Sequence, residues 1–280
     1  MDFFTDIDDF RKYVTGVEAS LRFEELFPSI TAAKKKIIST IGKARWDALK
    51  ELDPENEAYL AMKTAIANCA MDKYLIFWST SRNTSEQKLF KYQYNELKDG
   101  YITEFWAAMD VVIDSLDTSG LADWKTSPEY KERQELIIKS AHEFNYYFQI
   151  DDSSYFFSKI MFLLRKVSED NLKSRVGEIS DATPPALLKK IKRALCYEVI
   201  SQAVMLFDIT ELPKSLRNDI THEFTKSGSM VQVREKISAN LMVDVEKYYA
   251  EIENERAISS GNLGVIVNRN EEKNSFYSTM

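Results

Sequence analysis

The feature that most limits what this chain can fold into is that it contains one pattern twice. Phe10, Tyr13, Ser20, Phe23 and Leu26 recur at one constant offset as Phe144, Tyr147, Ser154, Phe157 and Ile160. Ile41 and Gly42 recur with the offset longer by one, as Val176 and Gly177. Met62, Lys63, Ala65, Ile66, Leu75 and Trp78 recur at a third, shorter offset, as Ile191, Lys192, Ala194, Leu195, Val204 and Phe207. The larger change of offset falls in a polar loop after the glycine, where length changes cost little. A shared order of Phe, Tyr, Ser, Phe, Gly and an Ala-centred apolar segment predicts two related units in tandem.

Both units read as helical. With 8 Gly and 6 Pro in 280 residues, the chain has few of the breaks that a turn-rich β protein needs. Ile30, Ala33, Ile37, Ile38 and Ile41 follow helical spacing, with Pro28 suited to the first turn and Gly42 to the end. Ser20 is the expected N-cap of a short helix before it. Residues 58–78 are apolar nearly all round apart from Thr64, Asn68 and Asp72, the pattern of a central buried helix. The strongest period runs from Ile102 through Phe105, Trp106, Met109, Val112 and Ile113 to Leu116. Ser127-Pro128 opens a helix expected to carry Leu136, Ile137, Ala141 and Phe144, and FQIDDSS is expected to be an extended connector. Residues 186–207 form the second central helix, and a last long helix carries Ile237, Leu241, Val245, Tyr248 and Ile252. The expected fold is therefore all-α, with units at 1–120 and 121–256 and an extended tail at 257–280.

Charge and chemistry narrow the function classes. A net charge of −7 argues against sequence-independent nucleic-acid binding. The acidic start, MDFFTDIDDF, is unlike a signal peptide, and no apolar run reaches membrane-spanning length. Cys69 and Cys196 sit in apolar helical stretches, as buried thiols do. His142 and His222 are isolated, with no nucleophile or carboxylate set around them, so no catalytic residue is assigned. Asp53, Glu55 and Glu57 lack the glycine and terminal Glu spacing of a calcium loop, and no metal ligand is assigned. GNLG at 261–264 has no strand-turn-helix context, so no cofactor is expected. Asp151 and Asp152 read as turn residues before a helix cap. Two basic clusters remain: Lys34, Lys35 and Lys36, and Lys189, Lys190, Lys192 and Arg193, the second a candidate phosphate contact.

An amphipathic helix ending at a glycine, a polar loop and an Ala-rich buried helix ending in aromatics together resemble the head–tail connector (adaptor) proteins of tailed bacteriophages. The residues that carry the likeness are Ile30, Ala33, Ile37, Ile41 and Gly42 with Ala65, Ala70, Tyr74 and Leu75. In the second unit they are Leu172, Val176, Gly177, Pro185, Ile191, Ala194 and Leu195, followed by LPKSLR. The tandem layout is similar to proteins of phages and prophages of Bacteroides-like bacteria, whereas the small adaptors carry one unit. The resemblance implies a non-catalytic neck protein of the virion, assembled in the bacterial cytoplasm. Its implied partners are copies of itself in a ring, the portal, tail or neck proteins and passing DNA, with no membrane. The competing reading is a cytosolic helical interaction or regulatory protein that binds nucleic acid through residues 189–193.

The tail is polar, but Leu263, Val265, Ile266 and Val267 favour a short strand, and Phe276 and Tyr277 offer aromatic anchors. Alone it buries too little apolar surface to offset the entropy of ordering it, which suits a docking arm.

Overall fold

A computed structural model describes residues 3–81, 91–180 and 182–259. It is all-helical, with no strand among the described residues. In the first half, α1 (Ile7–Arg11) leads through a 3-10 turn (Phe23–Leu26) into α2 (Phe27–Ile41). Then come α3 (Lys43–Lys50), α4 (Glu57–Ser81) and α5 (Lys91–Ser119). Helix α4 lies against α2 on one side and along α5 on the other, so its all-round apolar character is matched by neighbours on most sides. The second half holds α6 (Pro128–Gln134), α7 (Ala141–Tyr147), α8 (Ser154–Val167), α9 (Lys173–Val176) and α10 (Pro185–Leu206), then α11 (Lys214–Ser227) and α12 (Met230–Ser259). Here α10 is the central helix, packed along α12 and across α8.

Several of the positions matched in sequence are core positions in both halves. Phe10 and Phe144, Leu26 and Ile160, Ile41 and Val176, Ala65 and Ala194, and Ile66 and Leu195 are all buried. Gly42 and Gly177 end their helices with nearly the same backbone, φ 81° and ψ 158° against φ 75° and ψ −163°. Only glycine occupies that region without strain. Each glycine N–H closes the last helical turn, Gly42 on the Ile38 carbonyl at 2.8 Å and Gly177 on the Lys173 carbonyl at 2.9 Å.

The one-residue lengthening of the offset before Gly177 has a structural cause. Between α8 and α9 the helix does not break; it passes through a π-helical turn, Ser168–Leu172. A π turn holds one residue more than an α turn. Ala33 and Ile37 are four positions apart in α2, whereas the buried Val167 and Leu172 are five apart. The extra residue is absorbed in the turn, and the apolar face stays on the core.

One hydrophobic core runs through both halves, from Phe3 to Val233, and a smaller cluster between α9, α10 and α12 contains Leu172, Val176, Ile191, Val245, Tyr249 and Ile252. The halves meet where Phe105 and Trp106 of α5 each set their rings edge-on at 5.2 Å from Tyr155 of α8. After Gly120 the chain forms a 3-10 turn (Leu121–Thr126), and its buried Trp124 donates to Asp117.

Several local expectations need correction. Ser20 is exposed in a turn and caps nothing; Arg22 stands at the N-cap of the 3-10 turn, without a side-chain bond. The helix opened by Pro128 stops at Gln134, so Leu136 and Ile137 lie outside it, while Ala141 and Phe144 belong to α7. Ser140 starts that new helix by accepting from the Glu143 N–H at 3.1 Å, and the Glu143 carboxylate accepts from the Lys139 N–H. FQIDDSS is not extended throughout: Asp151 and Asp152 both adopt positive φ, 57° and 52°, and Ser153 caps α8. Asn68, one of the three polar positions noted in α4, is buried and donates to the Tyr13 carbonyl. Finally, α12 continues through Ser259, past the expected start of the tail at 257.

Candidate functional site

The most buried charge in the first half is Lys63 on α4. Its ammonium bonds both carboxylate oxygens of Asp9 at 2.8 Å. It also lies over the rings of Tyr13, Phe4 and Tyr59, at 4.5, 5.1 and 5.9 Å. Asp9 is positioned by α1, whose first turn is capped by Asp6 accepting from the Asp9 N–H. The second half repeats the pair, with Lys192 of α10 on Glu143 of α7. Glu143 stands directly before Phe144, as Asp9 stands directly before Phe10. The match between the lysines is visible in sequence; an acid just before each Phe is the signal that finds their partners.

That pair also describes the basic cluster. Lys192 is held by Glu143, and Lys190 lies between Glu251 at 3.5 Å and Glu255 at 3.3 Å on α12. Arg193 lies 5.8 Å over the Tyr248 ring. Lys189 is exposed and makes no ion pair with a described residue. The four are thus spread round α10 rather than gathered on one outer face. Lys34 and Lys36 lie over Trp46 at 5.4 Å and Phe105 at 4.7 Å. The tail residues Leu263, Val265, Ile266, Val267, Phe276 and Tyr277 lie outside the described residues. His142 is on the surface with Nδ1 3.4 Å from Asp152, and His222 is also exposed. Both cysteines are buried, and burial pushes both thiols up.

The centre of the second half carries a polar network that no sequence pattern announces. Glu198 of α10 is buried; Asn171, in the π turn, donates to one carboxylate oxygen, and the Tyr249 hydroxyl donates to the other at 2.7 Å. Burial and then the Glu198 carboxylate push the Tyr249 phenol up. Arg175 covers the Tyr249 ring at 4.2 Å and bonds Glu246 and Glu253 on α12. Both oxygens of Glu198 are engaged, which gives it a holding role across the π turn, α10 and α12.

Two cavities lie near the junction of the halves. The first, about 410 Å³, is walled by Lys36, Thr40, Trp124, Arg133, Lys159 and Glu211 among others. Burial holds the Lys159 ammonium below its ordinary value, with the Glu211 carboxylate opposing. Arg133 on its wall grips Asp117 through both terminal nitrogens, and Glu129 takes Arg45. The second, about 420 Å³, lies between α5, the Asp151–Asp152 turn and the start of α11. Asp110 of α5 accepts from the Tyr155 N–H at 2.7 Å and the Ser153 hydroxyl at 2.9 Å. Burial pushes its carboxyl up to about 6, although those two bonds pull it down. Asp151 accepts from the Ser215 N–H at 3.0 Å. Among the described residues no group of three or more His, Cys, Asp and Glu is placed to hold a metal ion, and no helix is long and apolar enough to cross a membrane.

No model of a protein family, no curated protein and no solved structure matches this chain.

Proposed function

We propose that the chain is a structural subunit that assembles with its own copies into a ring, as a neck component joining portal to tail in a tailed-phage particle. The observation that carries the assembly is an apolar ridge at the end of α10. Phe162, Met205 and Leu206 are 48%, 45% and 60% exposed, and Phe162 packs its ring on Phe207 at 6.1 Å. Arg234 ties the same end to α12 by donating to the carbonyls of Val204 and Phe207. A fixed helix end that presents large apolar side chains is what a partner surface needs. The assignment to a phage neck rests on the resemblance of the two units. The ion pairs of Lys190 and Lys192 weigh against the nucleic-acid alternative, since a phosphate would have to displace those carboxylates.

The test is the native mass. Light scattering on the purified chain is expected to give a many-subunit species. Replacing Phe162 and Leu206 together by Ser is expected to give a monomer with unchanged helical circular dichroism. A wild-type monomer at micromolar concentration, with salt-dependent DNA affinity, would overturn the proposal. In this reading residues 260–280 are a docking arm, and truncation after Ser259 leaves the helical signal intact while impairing assembly.

A further inference from the structure

The cavity between α2, α6 and α8 carries one charge that its walls do not answer. Every other charged side chain lining it meets an opposite charge. Lys159 is 2.5 Å from Glu211, Glu129 takes Arg45, Glu132 is 3.3 Å from Arg165, and Arg133 is 2.7 Å from Asp117. The exception is Lys36. It is half-buried and makes no ion pair with a described residue; its ammonium lies 4.7 Å over the Phe105 ring. A ring face attracts a cation but leaves its N–H donors unbonded.

A second polar group nearby is also without a partner. Tyr155 lines the same cavity and is 2% exposed, and its hydroxyl makes no hydrogen bond to a described residue. Unlike Trp46 Nε1 and Arg133 Nε, which are unbonded and sealed from solvent, that hydroxyl is not shut off from the surface. The two groups are neighbours, because the Tyr155 ring is 5.2 Å from the Phe105 ring that Lys36 covers. Buried polar groups in native structures find partners, and here a bound molecule can supply one to both.

The walls indicate its chemistry. Ile113, Trp124, Phe157 and Met161 line much of the rest, with Phe162 half-exposed at the rim. A cation would add to the uncompensated charge of Lys36. A wholly apolar molecule would cover Lys36 and the phenol without bonding either. A single negative charge balances Lys36, since the carboxylates on the wall are already held by Arg45, Arg165 and Lys159. The volume of about 410 Å³ falls in the range of small-molecule sites.

We infer that this cavity binds a monocarboxylate with an apolar body. The carboxylate takes the Lys36 ammonium and the Tyr155 hydroxyl, and the body lies against Ile113, Trp124 and Met161. Phe162 belongs both to the rim and to the α10 ridge, but the site does not rest on the assembly reading: a wild-type monomer that binds the acid removes only that reading.

The experiment is calorimetric titration of the full chain with phenylacetate and with hexanoate, at constant ionic strength. The controls are 2-phenylethanol, which lacks the charge, 2-phenylethylammonium, which reverses it, and acetate, which lacks the body. Saturable binding of phenylacetate or hexanoate, with all three controls weaker by about tenfold or more, is the expected result. Lys36→Met keeps the stem and removes the charge, and Tyr155→Phe removes only the hydroxyl; each is expected to weaken binding by roughly tenfold. Neither substitution breaks a hydrogen bond or ion pair to a described residue, so circular dichroism and the melting midpoint should stay close to wild type. Should one variant fail to fold, the other decides. Absence of saturation at tens of millimolar, equal binding by 2-phenylethanol or acetate, or unchanged binding in either folded variant overturns the inference.

Discussion

The two halves bury matched positions of the sequence pattern but secure their central helices differently. In the first, Lys63 is sealed between Asp9 and three aromatic rings, and the rest of α4 meets its neighbours mainly through apolar side chains. In the second, Lys192 has its carboxylate partner without such an enclosure of rings among the described residues, and α10 is fastened from within by polar bonds. Glu198 joins Asn171 and Tyr249, and Ser201 meets Ser238 of α12 at 2.8 Å. In the register that pairs Ala65 with Ala194, the buried Glu198 falls on the buried Cys69. The two matched positions thus hold a buried thiol in α4 and a hydrogen-bonded carboxylate in α10. The polar version is the one with an added residue in the preceding helix, because the π turn carries Asn171 to Glu198.

The sharpest way to break the comparison is to remove each lysine. Lys63→Ala leaves Asp9 partly buried beside three empty ring faces, and is expected to cost about 3–5 kcal/mol in urea unfolding. Lys192→Ala exposes a carboxylate that is already a third open to solvent, and is expected to cost about 1 kcal/mol or less. Equal losses would show that the aromatic enclosure adds nothing.

The next effect is a pH dependence confined to the junction. A carboxyl whose folded pKa is raised to about 6, from an ordinary 3.8, favours the folded state most strongly when protonated. Its contribution is full below pH 3.8, falls as pH rises between 3.8 and 6, and is flat above. Asp110→Asn keeps an oxygen for the Tyr155 N–H and the Ser153 hydroxyl but cannot ionise. The variant should therefore gain on the wild type between pH 4 and 6, by on the order of 2–3 kcal/mol, and hold that gain at pH 7. Parallel urea midpoints for the two proteins across that range would refute the assignment.

A smaller effect than that of Asp110 comes from deleting Asp170, an exposed residue of the π turn. That deletion brings Val167 and Leu172 to the spacing of Ala33 and Ile37. The chain should fold with an unbroken α-helix there and lose about 1 kcal/mol, chiefly from the displaced Asn171 bond. Amide exchange along α8 and α9 reads the outcome, and a collapse of protection would show that the extra residue is indispensable.

Much of the helical plan is legible in the sequence because it depends on local periodicity. The long face from Ile102 to Leu116 is α5, and Gly42, Gly120 and Gly228 stand at helix ends as their lack of a side chain suggests. The break between α6 and α7 is hidden because Leu136 and Ile137 continue an apolar pattern, although Ser140 and Glu143 already spell a cap. The change of offset is visible, but periodicity carries no information on whether a helix breaks or bulges. Least legible are the cavities. Arg217, Asp110 and Asp151 come together from separate segments of the chain, and only the packing of α11 against the turn reveals that Arg217 is buried.

The unbroken core has a consequence for how such a chain folds. Two helical halves are free to keep two separate interiors, each melting on its own. Here Phe105 and Trp106 give their inner faces to Tyr155 and Phe156, so neither half presents a finished surface without the other. A nascent chain that has reached Ser119 still exposes those rings, and must wait for α8 to emerge before they are covered. Synthesis of the second half is in this sense the last folding step of the first, and protection of the α5 amides depends on residues not yet made when α5 itself is complete.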